Sequence, residues 1–257
     1  MTSDRAHRAP GLDAPHAQGR PALPQVVAVA GGRFTMGRAT IDGAEAPNPP
    51  HQVELSPFAL GLFPVTNAEY RVFVEATGRP PPGFFGDPRL GQSRQPVVGV
   101  SFADAAAYCA WAGGALPTEA QWGRAASGLD GRRYPWGDDE PDEARACFAL
   151  DWNRGAPHPV DAHPAGAAPS GCLDLAGNVW EWCLDGFRLD AHEARVALGL
   201  DPCVPPTNRV RPLRGGCWRS IDCKLQNAYR NWSHEAARHV TIGFRLCLPG
   251  ARPASTP

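Results

Sequence analysis

The chain has little that would commit it to a membrane or a nucleic acid. No apolar run reaches the ~18–20 residues that a spanning helix needs. Its 25 basic and 26 acidic residues give a net charge of −1. No basic excess therefore points to nucleic acid or to an anionic surface. A secretory signal is also missing, because residues 1–24 have no apolar stretch and are rich in Pro, Ala and His. They read as a disordered leader before a domain over 25–250, with a frayed tail over 251–257. These absences imply a cytoplasmic protein whose eight cysteines stay reduced. No C-x-x-C pair occurs, which argues against a zinc ribbon or a thioredoxin-like site. No H-E-x-x-H or H-x-x-x-H helix pair occurs either. His158 and His163 fall in a Pro-rich loop and are expected in solvent.

What is present is turn chemistry. The 28 glycines and 28 prolines make up over a fifth of 257 residues, too many for a helical bundle. Val26–Val29 and Arg33–Met36 flank Gly31-Gly32 and predict an opening β-hairpin. His51–Leu55 and Phe58–Phe63 read as further strands. Three capping boxes then announce helices: Thr66 with Glu69, Ser101 with Asp104, and Thr118 with Gln121. Each leads into apolar residues on one face: Tyr70 and Phe73, Tyr108 and Cys109, Trp122 and Ala125. After residue 130 helical periodicity stops and short strands with long loops are expected, apart from a short helix within 190–201. No internal repeat and no second domain boundary are visible.

Several motifs occur in a fixed order: Phe34-Thr-Met-Gly37, His51-Gln-Val-Glu-Leu55, Pro64-Val-Thr-Asn67, Pro96-Val-Val-Gly-Val-Ser101, Leu116-Pro-Thr-Glu-Ala-Gln-Trp122, Tyr134-Pro-Trp-Gly137, Gly177-Asn-Val-Trp-Glu-Trp182, and Arg214-Gly-Gly-Cys-Trp218 through to Arg245. Together they resemble the formylglycine-generating enzyme family, also called sulfatase-modifying-factor domains, over about residues 26–249. The resemblance implies an α+β, C-type-lectin-like fold of the formylglycine-generating-enzyme type, loop-rich, with small twisted sheets and two to three helices. It also implies a calcium loop, with side chains from Asp174 and Glu181 and carbonyls from Gly177 and Val179 as hard oxygen ligands.

In the family's oxidases two thiolates hold copper. The first lies four places after the second Gly of the Gly-Gly pair and the next five places later. Counted from Gly216, those places hold Ser220 and Leu225. The cysteines present are Cys217 and Cys223, which read as structural thiols, a disulfide, or the catalytic pair of a different oxidoreductase. Copper is not expected. The same segment is also similar to the variable proteins of diversity-generating retroelements. That resemblance implies a binding face built from Trp218, Arg219, Ser220, Ile221, Tyr229, Asn231, Trp232, Ser233, His239, Val240 and Thr241. Aromatic anchors among small polar residues suit a protein or peptide ligand. The sequence thus predicts a binding protein with its surface in residues 218–241. The alternative is a metal-dependent oxidoreductase of the formylglycine-generating or pyoverdine-maturation type.

Overall fold

The computed structural model describes residues 24–46 and 48–250. The leader expected at 1–24 (apart from Pro24) and the tail expected at 251–257 fall outside the described residues.

The opening strands depart from the hairpin the sequence predicts. Strand β1 (Val26–Val29) does not pair with β2 (Gly32–Met36). Instead β1 pairs antiparallel with β6 (Phe58–Gly61), and β2 with β5 (His51–Leu55). The register runs through without an inserted residue, with Val29 opposite Phe58 and Gly32 opposite Leu55. The four strands form one long ribbon bent in the middle. Gly31 sits at that bend because its backbone meets the facing strand. A Cβ there would lie 2.4 Å from the Leu55 carbonyl oxygen. The glycine pair therefore makes a kink and a close approach, not a turn. A small hairpin, β3 (Thr40–Ile41) with β4 (Ala44–Glu45), lies between β2 and β5.

All three expected helices form behind their capping boxes: α1 (Asn67–Thr77), α2 (Phe102–Trp111) and α3 (Glu119–Ser127). In each, the cap side chain accepts from the third backbone N–H and the side chain three places on accepts from the cap's own N–H. Gly78 closes α1 in the left-handed region. A fourth helix, α4 (Ala191–Leu198), forms within the 190–201 stretch where a short helix is expected, and takes the count among the described residues above the two to three that the family resemblance implies. It buries only Ala191 and Arg195, so its apolar pattern is faint in sequence.

The second half is loop with short strands. Strands β7 (Trp180–Trp182), β8 (Val210–Arg214), β9 (Asn231–His234) and β10 (Ile242–Gly243) form a sheet in the order β10-β7-β8-β9. Strand β11 (Cys247–Pro249) closes the first sheet against β6. One apolar cluster joins α1 and α2 to this half, with Tyr70 stacked on Tyr108 at 5.5 Å and Phe244 at their edges. Another packs Trp122 of α3 against Phe34, Met36, Val53 and Leu55 of the bent ribbon.

Two buried carboxylates stitch these layers together. Glu119 receives Arg195 of α4, Arg214 of β8 and Arg230, all with side chains at 0–2% exposure. Glu181 of β7 accepts from Arg245 at 2.6 Å on both oxygens and from the Trp122 indole at 2.9 Å. Such pairs add little net stability over apolar packing, but they fix which element meets which.

A cleft with one thiol and an aromatic rim

Gly215 and Gly216, both at positive φ, turn the chain out of β8. The turn that follows is held by Ser220. Its backbone N–H donates to the Cys217 carbonyl at 2.8 Å, and its Oγ accepts the Cys217 N–H at 2.9 Å. The Ser220 hydroxyl then donates to the Cys217 sulfur at 3.5 Å. Trp180, Cys217, Arg219, Ser220, Lys224, His239 and Thr241 line a cleft of ≈ 200 Å³ beside this turn. His239 Nδ1 and Thr241 Oγ1 are 2.7 Å apart on one wall. Partial desolvation against the cleft wall and then the nearby Arg219 charge lower the His239 pKa from its usual value.

Of the expected binding residues, Arg219, Ile221, Trp232 and His239 are exposed, and Tyr229, Asn231, Ser233 and Val240 are half-buried. Ser220 and Thr241 are buried but line the cleft. Trp218 departs from the expectation. At 2% exposure it is core, stacked beneath Trp152 at 5.8 Å. Trp152 was not among the predicted residues. It is 42% exposed, carries the Arg219 guanidinium 4.2 Å above its ring, and lies 6.1 Å from His239. Only its solitary Trp in a polar loop could have drawn attention to it. Trp232 lies apart from this group on β9, beside Phe187 at 6.1 Å.

The cysteines are separated in role. All eight are free thiols, so the disulfide reading is overturned. Cys217 lines the cleft, while Cys223 packs with Ile41, Ala46, Ala228 and Tyr229. Leu225, at the family's second thiolate place, is fully buried with Tyr134, Ala146 and Ala176.

The expected calcium loop has a fitting feature. Asp174 is buried, and its Oδ2 has no hydrogen-bond partner. Burial pushes its carboxyl up to about 8, against the pull of the nearby Arg245. An orphaned buried carboxylate oxygen is what a hard cation would satisfy. Glu181 is more committed. Three of its roughly four acceptor sites serve Arg245 and Trp122, leaving one on Oε1.

The sequence matches the Sulfatase-modifying factor enzyme 1-like domain over residues 12–248. The chain belongs to the formylglycine-generating enzyme family. It is 33% identical to the formylglycine-generating enzyme of Streptomyces coelicolor, over 85% of this chain and 87% of that one. Hercynine oxygenase of Mycolicibacterium smegmatis is also 33% identical, with 89% and 62% covered. Serine/threonine-protein kinase Pkn1 of Chlamydia trachomatis is 34% identical over 88% of this chain, which spans only 38% of that protein. Among solved structures, PvdO from Pseudomonas aeruginosa superposes with a TM-score of 0.75 at 25% identity, covering 91% of this chain and 100% of PvdO. Treponema denticola variable protein 1 superposes at 0.70 with 22% identity, over 88% and 95% of the two chains, a likeness of fold alone. The expected α+β, lectin-like fold of the formylglycine-generating-enzyme type is therefore the fold present. No helix among the described residues is long and apolar enough to cross a membrane.

Proposed function

We propose that this chain is a binding member of the formylglycine-generating enzyme family, without the copper oxidase centre. Its ligand is a protein or peptide held over the cleft and rim built around residues 218–241, not a nucleic acid or a membrane. One observation carries the reading: the two thiolate places hold Ser220, closed onto Cys217 in a turn, and Leu225, sealed in an apolar cluster. Copper(I) is soft and is held by paired thiolates, and the cleft lining offers Cys217 alone. The rim supports the binding role. The Trp152–Arg219 stack, with His239 beside it and Trp232 on β9, supplies rigid aromatic and guanidinium contact surface. Eight unpaired thiols favour a reducing, cytoplasmic setting.

Asp174, Glu181 and the Gly177 and Val179 carbonyls would hold a structural calcium ion. The orphaned Asp174 oxygen is the support for it. An ion there would displace the proton from the buried Asp174 carboxyl, in a loop joined to the Gly215–Ser220 turn by the Gly177 N–H, which donates to the Gly215 carbonyl at 2.8 Å.

The alternative, an oxygen-dependent oxidoreductase using Cys217 and Cys223, draws on the one thiol that faces the cleft. Oxygen uptake by the copper-treated chain with a cysteine-containing peptide separates the two. The binding reading expects none above background, and uptake abolished by Cys217→Ser would replace it. Peptides selected from a random displayed library should lose at least ten-fold in affinity on Arg219→Ala or Trp232→Ala. The thermal midpoint should move little, since exposed substitutions stay within about 0.5 kcal/mol. Unchanged peptide affinity in both variants would exclude this surface.

A further inference from the structure

A second cluster lies outside the cleft and is not used by the proposed function. Cys147, His158 and His163 each present one ligand atom, and these atoms all lie within 4.8 Å of one another. Cys147 and His163 are buried and His158 is half-buried. The loop predicted to leave both histidines in solvent is in fact folded inward. The backbone N–H of His158 donates to Asn178 Oδ1 at 3.0 Å, and the Asn178 side chain donates back to the His158 carbonyl at 3.2 Å. His158 Nδ1 and His163 Nε2 face each other at 2.9 Å, with the rings stacked at 5.1 Å.

We propose that Cys147, His158 and His163 form a binding site for a borderline-soft divalent cation, zinc(II) foremost, with a fourth position left for water. The donor set is right for it. Zinc takes thiolate and imidazole ligands, and a three-ligand site with an open position is a known arrangement. The second shell is already built. His163 Nδ1 lies 2.9 Å from the Glu143 carbonyl and donates to it, which turns the Nε2 lone pair toward the cluster. Tetrahedral zinc at Zn–N ~2.0–2.1 Å and Zn–S ~2.3 Å needs N···N of about 3.3 Å and S···N of about 3.6 Å. The histidine nitrogens, 2.9 Å apart, must separate by about 0.4 Å, and the sulfur–nitrogen separations, all within 4.8 Å, must close by no more than about 1.2 Å. In the empty site the His158 Nδ1 proton sits between the two rings. On loading, His158 carries its proton on Nε2, and the Cys147 thiol releases its own to solvent.

The ligands bracket the loop that carries Trp152. Cys147 lies before it, His158 and His163 after it, and the Leu150 N–H donates to the Trp218 carbonyl at 2.8 Å. A bound ion would cross-link both ends of that loop beside the cleft. The proposal does not rest on any ligand for the cleft, and its readout is the ion itself.

The test uses the chelator-stripped full chain in reducing, calcium-containing buffer, titrated with cobalt(II) and then zinc(II). One equivalent of cobalt should give tetrahedral ligand-field bands and a thiolate-to-cobalt charge-transfer band, both erased by zinc. Cys147→Ser should lose the charge-transfer band, and His158→Ala should weaken binding at least ten-fold. Cys217→Ser and Cys223→Ser should change neither. Because Cys147 is buried and its variant is open to misfolding, X-ray absorption on the zinc-loaded native chain provides a second measurement. It should show one sulfur near ~2.3 Å with nitrogen near ~2.0–2.1 Å. Absence of one-equivalent binding, a charge-transfer band surviving in Cys147→Ser, or a sulfur-free zinc shell would each overturn the site. The cluster would then be a hydrogen-bonded histidine pair beside a buried thiol.

Discussion

Replacing Glu119 by Gln should be the most damaging single substitution in the chain that keeps side-chain shape. Its carboxylate is fully buried and accepts from Arg214 at 3.2 Å, from Arg230 at 2.9 and 2.7 Å, and from Arg195. Gln removes the anion that all three guanidiniums contact and aims an amide N–H₂ at two of them, Arg230 and either Arg214 or Arg195. Breaking one buried pair this way costs about 3–5 kcal/mol. With three partners stranded at once, the upper end, about 5 kcal/mol, is expected. That is a large share of the ~5–15 kcal/mol that keeps a domain folded. For a chain of this size it corresponds to a thermal midpoint lower by about 10–20 °C. Urea unfolding followed by tryptophan fluorescence and by near-ultraviolet circular dichroism would read it. A loss below about 1 kcal/mol would refute the reasoning, because it would mean that water or a neighbouring anion already compensates the arginines. Adding Arg195→Met to the variant should recover part of the loss by removing a stranded charge. The pH dependence has a definite sign. Burial alone would raise the Glu119 carboxyl, but Arg230, Arg195 and Arg214 outweigh it and hold it far below the usual range. Its contribution is therefore present above the unfolded value and lost as pH falls below it.

Asp174 should behave in the opposite sense. Its folded value is raised to about 8, so in chelator its contribution is full below the unfolded value and is lost as pH climbs toward 8. Asp174→Asn should flatten that decline, and calcium should raise the thermal midpoint of the native chain at pH 8 but not that of the variant. Gly177→Ala should destabilise by more than about 2 kcal/mol, because the position is left-handed and its Cβ would meet the Cys147 carbonyl oxygen at 2.4 Å. A urea midpoint unchanged by Gly177→Ala would show that the loop carrying Cys147 yields.

The helices were legible because a capping box is local. Thr66, Ser101 and Thr118 each announce their helix within three residues, and the packing agrees. The Gly31-Gly32 kink was misread for the same reason. A local turn signal says nothing of the Leu55–Phe58 stretch that arrives to pair with it. Glu119 looked like an ordinary acidic residue in a helix's first turn. Its three arginines come from 76 to 111 positions away in sequence, beyond any window that reads periodicity. His158 and His163 were judged by the prolines around them. His158 is held by Asn178, 20 residues on, and His163 by the Glu143 carbonyl, 20 residues back, which no compositional rule reaches. Counting from Gly216 did locate Ser220 and Leu225, because that spacing is carried by the chain itself.

Arg214 and Arg230, which bracket the first half of the binding segment, close on the same carboxylate. The intervening stretch is thus an arch with both feet set in one keystone. Its exposed members, Arg219, Ile221 and Asp222, bear none of the load that holds the feet in place. An arch of this kind can be re-faced stone by stone at those positions without disturbing the building behind it.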